Sequence, residues 1–151
     1  MRRVLPLVFC LALPAAAADI EVSGAKVQSY PVALAPPIST EAGLHQRGQE
    51  VAERVRALLQ LTGMIKILDP ASFLAPADEG IEPKKIQFEA WRQIGAKGLL
   101  KFALRRSQRA VVIEYLVFDV RSERPLANGT LQTGEDRLEN LAGQLADAIL
   151  L

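Results

Sequence analysis

Apolar residues recur along this chain with two different periods, and the change from one to the other lays out the elements. Leu44, Val51, Val55, Leu58 and Leu59 return at helical spacing, with Glu50, Glu53, Arg54 and Arg56 on the opposite side. That pattern predicts a long amphipathic helix, supported by an i,i+4 pair between Glu50 and Arg54 and closed by Gly63. On one side of it the run Tyr30 to Pro36, with Val32 to Ala35 in its middle, reads as a strand. It must end at Pro36-Pro37, because proline cannot donate to a ladder. On the other side Ile65 to Leu68 reads as a short buried strand. A strand, a helix and a strand in that order predict a right-handed crossover with parallel pairing.

Asp69-Pro70 stops the second strand and opens a helical turn through Ser72 to Leu74, with Asp69 as N-cap and Pro70 at the first helical position. Ala75 to Pro83, rich in Pro, Gly and acid residues, is expected to be an exposed loop. Ile86 to Ile94 is expected to be a short helix closed by Gly95. Three strands of a meander follow. Gly98 to Arg105 alternates Leu100, Phe102 and Leu104 against Lys101 and Arg105, which predicts one dry face and one partly wet one. After the tight connection at Ser107-Gln108, Ala110 to Val120 is apolar on both faces apart from Glu114 and Asp119, as expected of a central strand. Arg121 to Pro125 turns the chain, and Leu126 to Gln132, with Gly129 inside it, is a weaker third strand. Thr133 and Asp136 frame a helix start, and Leu138, Leu141, Leu145 and Ile149 form the stripe of a closing helix. No 20- to 50-residue period repeats, which excludes a solenoid or a free-standing propeller. The layout is an α/β (α+β) fold: two long helices and one short helix on a mixed sheet of about five strands, the long helices on one face.

The first residues belong to a different pattern. Arg2 and Arg3, the apolar stretch Val4 to Pro14 and the small residues Ala16-Ala17-Ala18 have the order of a signal peptide. Residues 1–18 are therefore expected to be cleaved, since an apolar stretch broken by Pro6 and Pro14 is shorter than the ~20 residues a membrane span needs. Acylation at Cys10 is the alternative, but bulky Phe9 stands where lipoproteins carry a small residue. Cys10 is the only cysteine, so cleavage leaves a domain without thiols that rests on packing alone. From Asp19 to Gly24, Ile20 and Val22 alternate with Asp19, Glu21 and Ser23. Residues 19–29 thus form either a short strand or a mobile segment ahead of a domain over residues 30–151. Losing Arg2 and Arg3 from 18 basic residues leaves near balance with 17 acidic ones, and no field that would steer nucleic acid or anionic lipid.

Catalysis needs convergent nucleophiles, bases or ligands, and almost none are present. His45 is the only histidine and has no partner at metal spacing. Ser72 stands in a cap-and-turn context where its hydroxyl bonds backbone. Glu114 and Asp119 lie five positions apart on one strand and so on opposite faces. Asp78-Glu79 reads as a solvated loop pair. Arg105, Arg106 and Arg109 read as a solvated hairpin tip and Lys84-Lys85 as a helix start, without the interleaved aromatics of a nucleic-acid site. Trp91 is expected to roof the sheet edge with Phe88 and Ile94, or else to stand half-exposed as a partner contact. The expectation is no enzyme, no catalytic residue, no cofactor, no metal, no small-molecule substrate and no nucleic acid.

Leu68-Asp69-Pro70-Ala71-Ser72-Phe73-Leu74, followed by Trp91-Arg92-Gln93-Ile94-Gly95-Ala96, resembles the amino-terminal domain of the TolB proteins of the Tol-Pal system. Tyr30-Pro31-Val32-Ala33-Leu34-Ala35-Pro36, Val51 to Gly63 and Phe118-Asp119-Val120 fall in matching order, so the resemblance covers nearly the whole chain after residue 18. It implies an anticodon-binding-domain-like layout and a non-enzymatic interaction role in the Gram-negative periplasm, supporting outer-membrane integrity and cell division. It also implies that Asp19, Ile20, Glu21, Val22, Ser23 and Gly24 form a recognition segment for a TolA-like partner, suited to adding a strand to a partner's sheet edge. The family's β-propeller, which carries the Pal-binding surface, has no counterpart here, so Pal binding is not expected. A stand-alone adaptor would pair with a separately encoded propeller or compete with full-length TolB. The alternatives are an outer-membrane assembly or lipoprotein accessory domain of related fold, and a truncated product of a full-length gene, for which Ile149-Leu150-Leu151 without a polar tail would be the cut.

Overall fold

The computed structural model describes residues 29–150. Strand β1, Tyr30–Leu34, leads through Pro36-Pro37 to helix α1, Ala42–Leu61, and then to strand β2, Ile65–Ile67. α1 ends at a left-handed Gly63, φ 66°, a conformation that an L side chain would strain. β1 pairs in parallel with β2 and with β3, Gly98–Ser107. Antiparallel β4, Ala110–Asp119, and β5, Arg124–Gly134, complete the sheet in the order β2-β1-β3-β4-β5. The parallel crossover and the meander are therefore as expected. β4 is an interior strand, as expected, with β3 on one side and β5 on the other. β4 lies one place from the edge, and Glu114, Tyr115 and Leu116 on it retain exposure.

Between the two halves of the sheet come 3₁₀ turns at Pro70–Ser72 and Pro83–Lys85 and the short helix α2, Phe88–Gln93. Asp69 caps the first of these turns, accepting from the Ala71 amide at 2.9 Å. A 3₁₀ segment, Glu135–Asn140, follows β5 and runs into helix α3, Leu141–Leu150. Thr133 therefore does not frame a helix start. It pairs with Val111 in β5, because the ladder to β4 continues to Gly134. The Glu50–Arg54 pair does not form either. Glu50 meets Arg47 at 3.1 Å, and Arg54 reaches across to Glu139 at 2.6 Å, where a carboxylate on the neighbouring segment competes with the one on its own helix.

The sheet carries a core on each face. Leu44, Val51, Val55 and Leu59 of α1 and Leu141 and Leu145 of α3 bury against Leu34, Leu100, Phe102, Leu104, Ile113 and Val117. Each such side chain contributes about 1.5–3 kcal/mol by leaving water. Leu58, expected on the same stripe, stands at its rim and is 40% exposed. α1 approaches the sheet closely at Gly48, where an added Cβ would lie 2.9 Å from Leu104 and 3.0 Å from Pro37. On the opposite face Ala33, Leu99, Phe118 and Val120 meet Ile86, Phe88 and Trp91, with Phe73 packed alongside.

Candidate functional site

The second face holds the one buried charge cluster among the described residues, and the sequence pattern misplaces both of its ions. Glu79, expected in solvent, and Lys101, expected on a partly wet face, meet at 2.5 Å with each side chain 2% exposed. Lys101 points away from α1 and α3 because its neighbours Leu100 and Phe102 point toward them. The residues 75–87 then close over it. The Glu79 carboxylate accepts three hydrogen bonds: from the Lys101 ammonium, from the Trp91 indole N–H at 3.0 Å and from the Gln87 amide at 2.5 Å. Lys101 Nζ also lies 5.8 Å from the centre of the Trp91 ring, and Phe73 packs edge-on to that ring at 5.0 Å. Trp91 is 1% exposed and covers the middle of the sheet beside β3, not its edge, so it presents no surface to a partner.

The chemistry of this cluster is that of a clamp. An ion moved into a protein interior loses several kcal/mol of hydration, which only saturated hydrogen bonding offsets. Burial draws the Lys101 pKa below the usual lysine value, and the Glu79 carboxylate beside it acts in the opposite direction. A depressed amine is a familiar nucleophile or base, but here both groups are sealed and fully engaged with one another. They join the loop, α2 and the central strand. The sequence signal that would have found them is a single lysine inside Gly98-Leu99-Leu100-Lys101-Phe102-Ala103-Leu104. Its partner, 22 positions earlier, carries no mark of its own.

The remaining candidates do not converge. His45 lies in the first turn of α1, exposed, beside a shallow groove of about 440 Å³ lined by Pro37, Ile38 and Ala77. Ser72 donates to the Asp69 carbonyl at 2.6 Å. Asp119 accepts from the Ser122 amide at 2.6 Å and the Ser122 hydroxyl at 2.7 Å, and those bonds hold its carboxyl below the usual range. Glu114 stands exposed on the other face. Arg105 and Arg109 are solvated, while Arg106 is a junction. It binds Glu41 beside α1 and Glu135 after β5, both at 2.9 Å. No group of three or more His, Cys, Asp or Glu side chains that could hold a metal occurs among the described residues, and no helix there is long and apolar enough to cross a membrane.

The predicted recognition segment, Asp19 to Gly24, and the predicted signal peptide with Cys10 lie outside the described residues. The first described strand after them, β1, is fixed on both sides. Tyr30 donates its amide to the Met64 carbonyl at 2.8 Å, and the Lys97 amide donates to Pro31 at 2.9 Å. The Tyr30 ring lies against Gly98, and burial, followed by the nearby Asp119 carboxylate, raises its phenol pKa.

Residues 18–126 match the family model of the TolB amino-terminal domain. The Tol-Pal system protein TolB of Anaeromyxobacter dehalogenans is 34% identical over 157 residues, covering 99% of this chain. The protein of the same name from Myxococcus xanthus is 30% identical over 135 residues, covering 89%. The chain spans 36% of the length of the first relative and 31% of the second. Among solved structures, TolB from Acinetobacter baumannii superposes with a TM-score of 0.62 at 20% identity, over 82% of this chain and 28% of that one. The LpoB C-terminal domain from Escherichia coli superposes with a TM-score of 0.54 at 14% identity, over 71% and 84%. At such identities the two structures speak to the fold alone.

Proposed function

The chain belongs to the TolB amino-terminal domain family, and from that premise we propose that it is a non-catalytic protein-interaction domain of the Tol-Pal cell-envelope system. Residues 1–18 export it to the periplasm of a Gram-negative cell and are removed. Asp19 to Gly24 then serves as the recognition segment, adding a strand to the sheet edge of a TolA-like partner, with affinity from main-chain hydrogen bonds. The role served is outer-membrane integrity and constriction during division. The single observation that carries this reading is the family match over residues 18–126. Its support within the domain is that the ionisable groups fit for chemistry, Lys101 and Glu79, are consumed in holding the fold together.

Co-purification tests it. The tagged chain, incubated with solubilised envelope extract, is expected to retain a TolA-like protein, and a variant lacking residues 19–24 is expected to lose it. Recovery of no Tol component by the intact chain overturns the assignment. Equal recovery by both forms moves the site off the segment.

A further inference from the structure

Between Phe73 and Ile86 the chain runs for twelve residues, and only Glu79 among them is buried. The strap they form, residues 74–85, is tied to itself. The Glu79 amide donates to the Pro76 carbonyl at 3.1 Å and the Lys85 amide to the Glu82 carbonyl at 2.9 Å, while the Lys85 ammonium meets the Glu82 carboxylate at 3.1 Å. Gly80 packs so closely on Lys85 that an added Cβ would lie 3.2 Å from its stem. Toward the body of the domain the strap offers Ala75 to the core. Its only hydrogen bonds to the rest of the fold, among the described residues, are those the Glu79 carboxylate accepts.

The three donors that meet this carboxylate stand on elements anchored without it. Lys101 sits in β3 between Leu100 and Phe102, both fully buried. Trp91 is buried in α2, with Phe73 edge-on to its ring. Gln87 lies between buried Ile86 and Phe88, and Phe88 packs edge-on to Phe118 at 5.4 Å. Lys101 and Trp91 donate to one carboxylate oxygen and the Gln87 amide to the other. They therefore address what any carboxylate offers, two oxygens in one plane. The receptor belongs to the body of the domain and its occupant to the strap. An apolar anchor regains nothing on lifting into water, whereas a buried carboxylate and ammonium both recover hydration, which offsets much of the attraction they lose. An entry path is also present. Ala77 and Asp78 of the strap border the groove beside Pro37 and Ile38, and Ile38 bridges to Ala103, on the same face of β3 as Lys101.

We propose that residues 74–85 lift as one piece while the sheet and its helices stay folded, and that the Lys101 site beneath them is a carboxylate receptor with Glu79 as its tethered occupant. An external carboxylate competes against the high effective concentration of a group on the same chain, so the closed form prevails until the strap is released.

Hydrogen exchange of the full chain, followed by NMR, tests the lifting. The Gln87 amide and the Trp91 indole N–H, both covered by Glu79, are expected to exchange through one shared opening, at least about tenfold less protected than the amides of the β3–β4 ladder. Glu79→Asp, which shortens the tether by one methylene, is expected to speed the exchange of those two protons at least about tenfold in a chain that still folds. Glu79→Ala tests the receptor. Sodium acetate is expected to raise its thermal midpoint and to shift the emission of Trp91, the chain's only tryptophan, both saturably and relative to sodium chloride at equal ionic strength. Adding Lys101→Met is expected to abolish both responses, and the native chain, its site filled, is expected to show neither. Exchange of the Gln87 and Trp91 protons only at the rate of the ladder overturns the proposal. So does an acetate response that is absent from Glu79→Ala or that survives Lys101→Met.

Discussion

The two faces of this sheet are closed by different means. Over one, α1 and α3 lay down apolar stripes, and the core from Leu44 to Leu145 contains no charge. Over the other, a six-residue helix and a loop supply too little periodic apolar surface to close the core by themselves. A saturated ion pair between Glu79 and Lys101 holds that lid in place. The first kind of closure tolerates imperfection in increments, one side chain at a time. The second is cooperative, because removing either ion strands the other in a dry site.

The sharpest way to break this contrast is a pair of double substitutions followed by denaturant unfolding. Phe102→Ala on the helical face and Glu79→Ala on the clamped face are each expected to cost about 3–5 kcal/mol, the first through a cavity and the second through an unpaired Lys101 ammonium. Adding Leu145→Ala to Phe102→Ala is expected to cost more stability again. Adding Lys101→Met to Glu79→Ala is expected to recover about 2 kcal/mol. Additive losses on both faces would mean that the pair is not a unit.

Alkaline titration gives the next largest effect. Burial places the folded-state pKa of Lys101 below the ordinary lysine value of 10.5, so between those two values the unfolded chain binds more protons than the folded one. Stability from this group is therefore fully present above 10.5 and is lost as pH falls through the folded value. The unfolding free energy of the native chain, minus that of Lys101→Met, is expected to rise as pH climbs from neutrality toward 10.5. A flat or falling difference would place the ammonium in contact with water.

Smaller effects sharpen the helical face and the rim. Gly48→Ala forces a methyl against Leu104 and Pro37 and is expected to cost about 1–3 kcal/mol in a thermal melt, despite the better helix propensity of alanine. Arg106→Met removes two exposed ion pairs, and its cost is expected to stay below about 1 kcal/mol in the same assay.

The contrast also explains what could be read in advance. Helical stripes such as Val51, Val55 and Leu59, the stop at Pro36-Pro37 and the cap at Asp69-Pro70 are local statements, each made by residues within a turn or two of one another. They predict α1, β1 and the turn after β2 directly. The clamp is not local. Asp78-Glu79 looks like any acidic loop until a lysine 22 positions later is known to share its face of the sheet. The apolar richness of Ala110 to Val120 is again a local statement, and it predicts a strand with neighbours on both sides, which β4 has in β3 and β5. The extent of β5 was hidden because Thr133 and Gly134 suit a helix start as well as a strand end. The Tol-Pal relationship was legible because it rests on the order of several short stretches and not on any functional side chain.

The proposal that reaches furthest is that this domain carries a recognition segment at Asp19 to Gly24. Calorimetric titration of a TolA-like partner into the purified chain, with and without residues 19–24, tests it most directly. The account predicts saturable binding by the intact chain and a loss of at least about 100-fold, roughly 2.7 kcal/mol, when the segment is absent. Undiminished binding by the shortened chain, or no binding by the intact one, would contradict it.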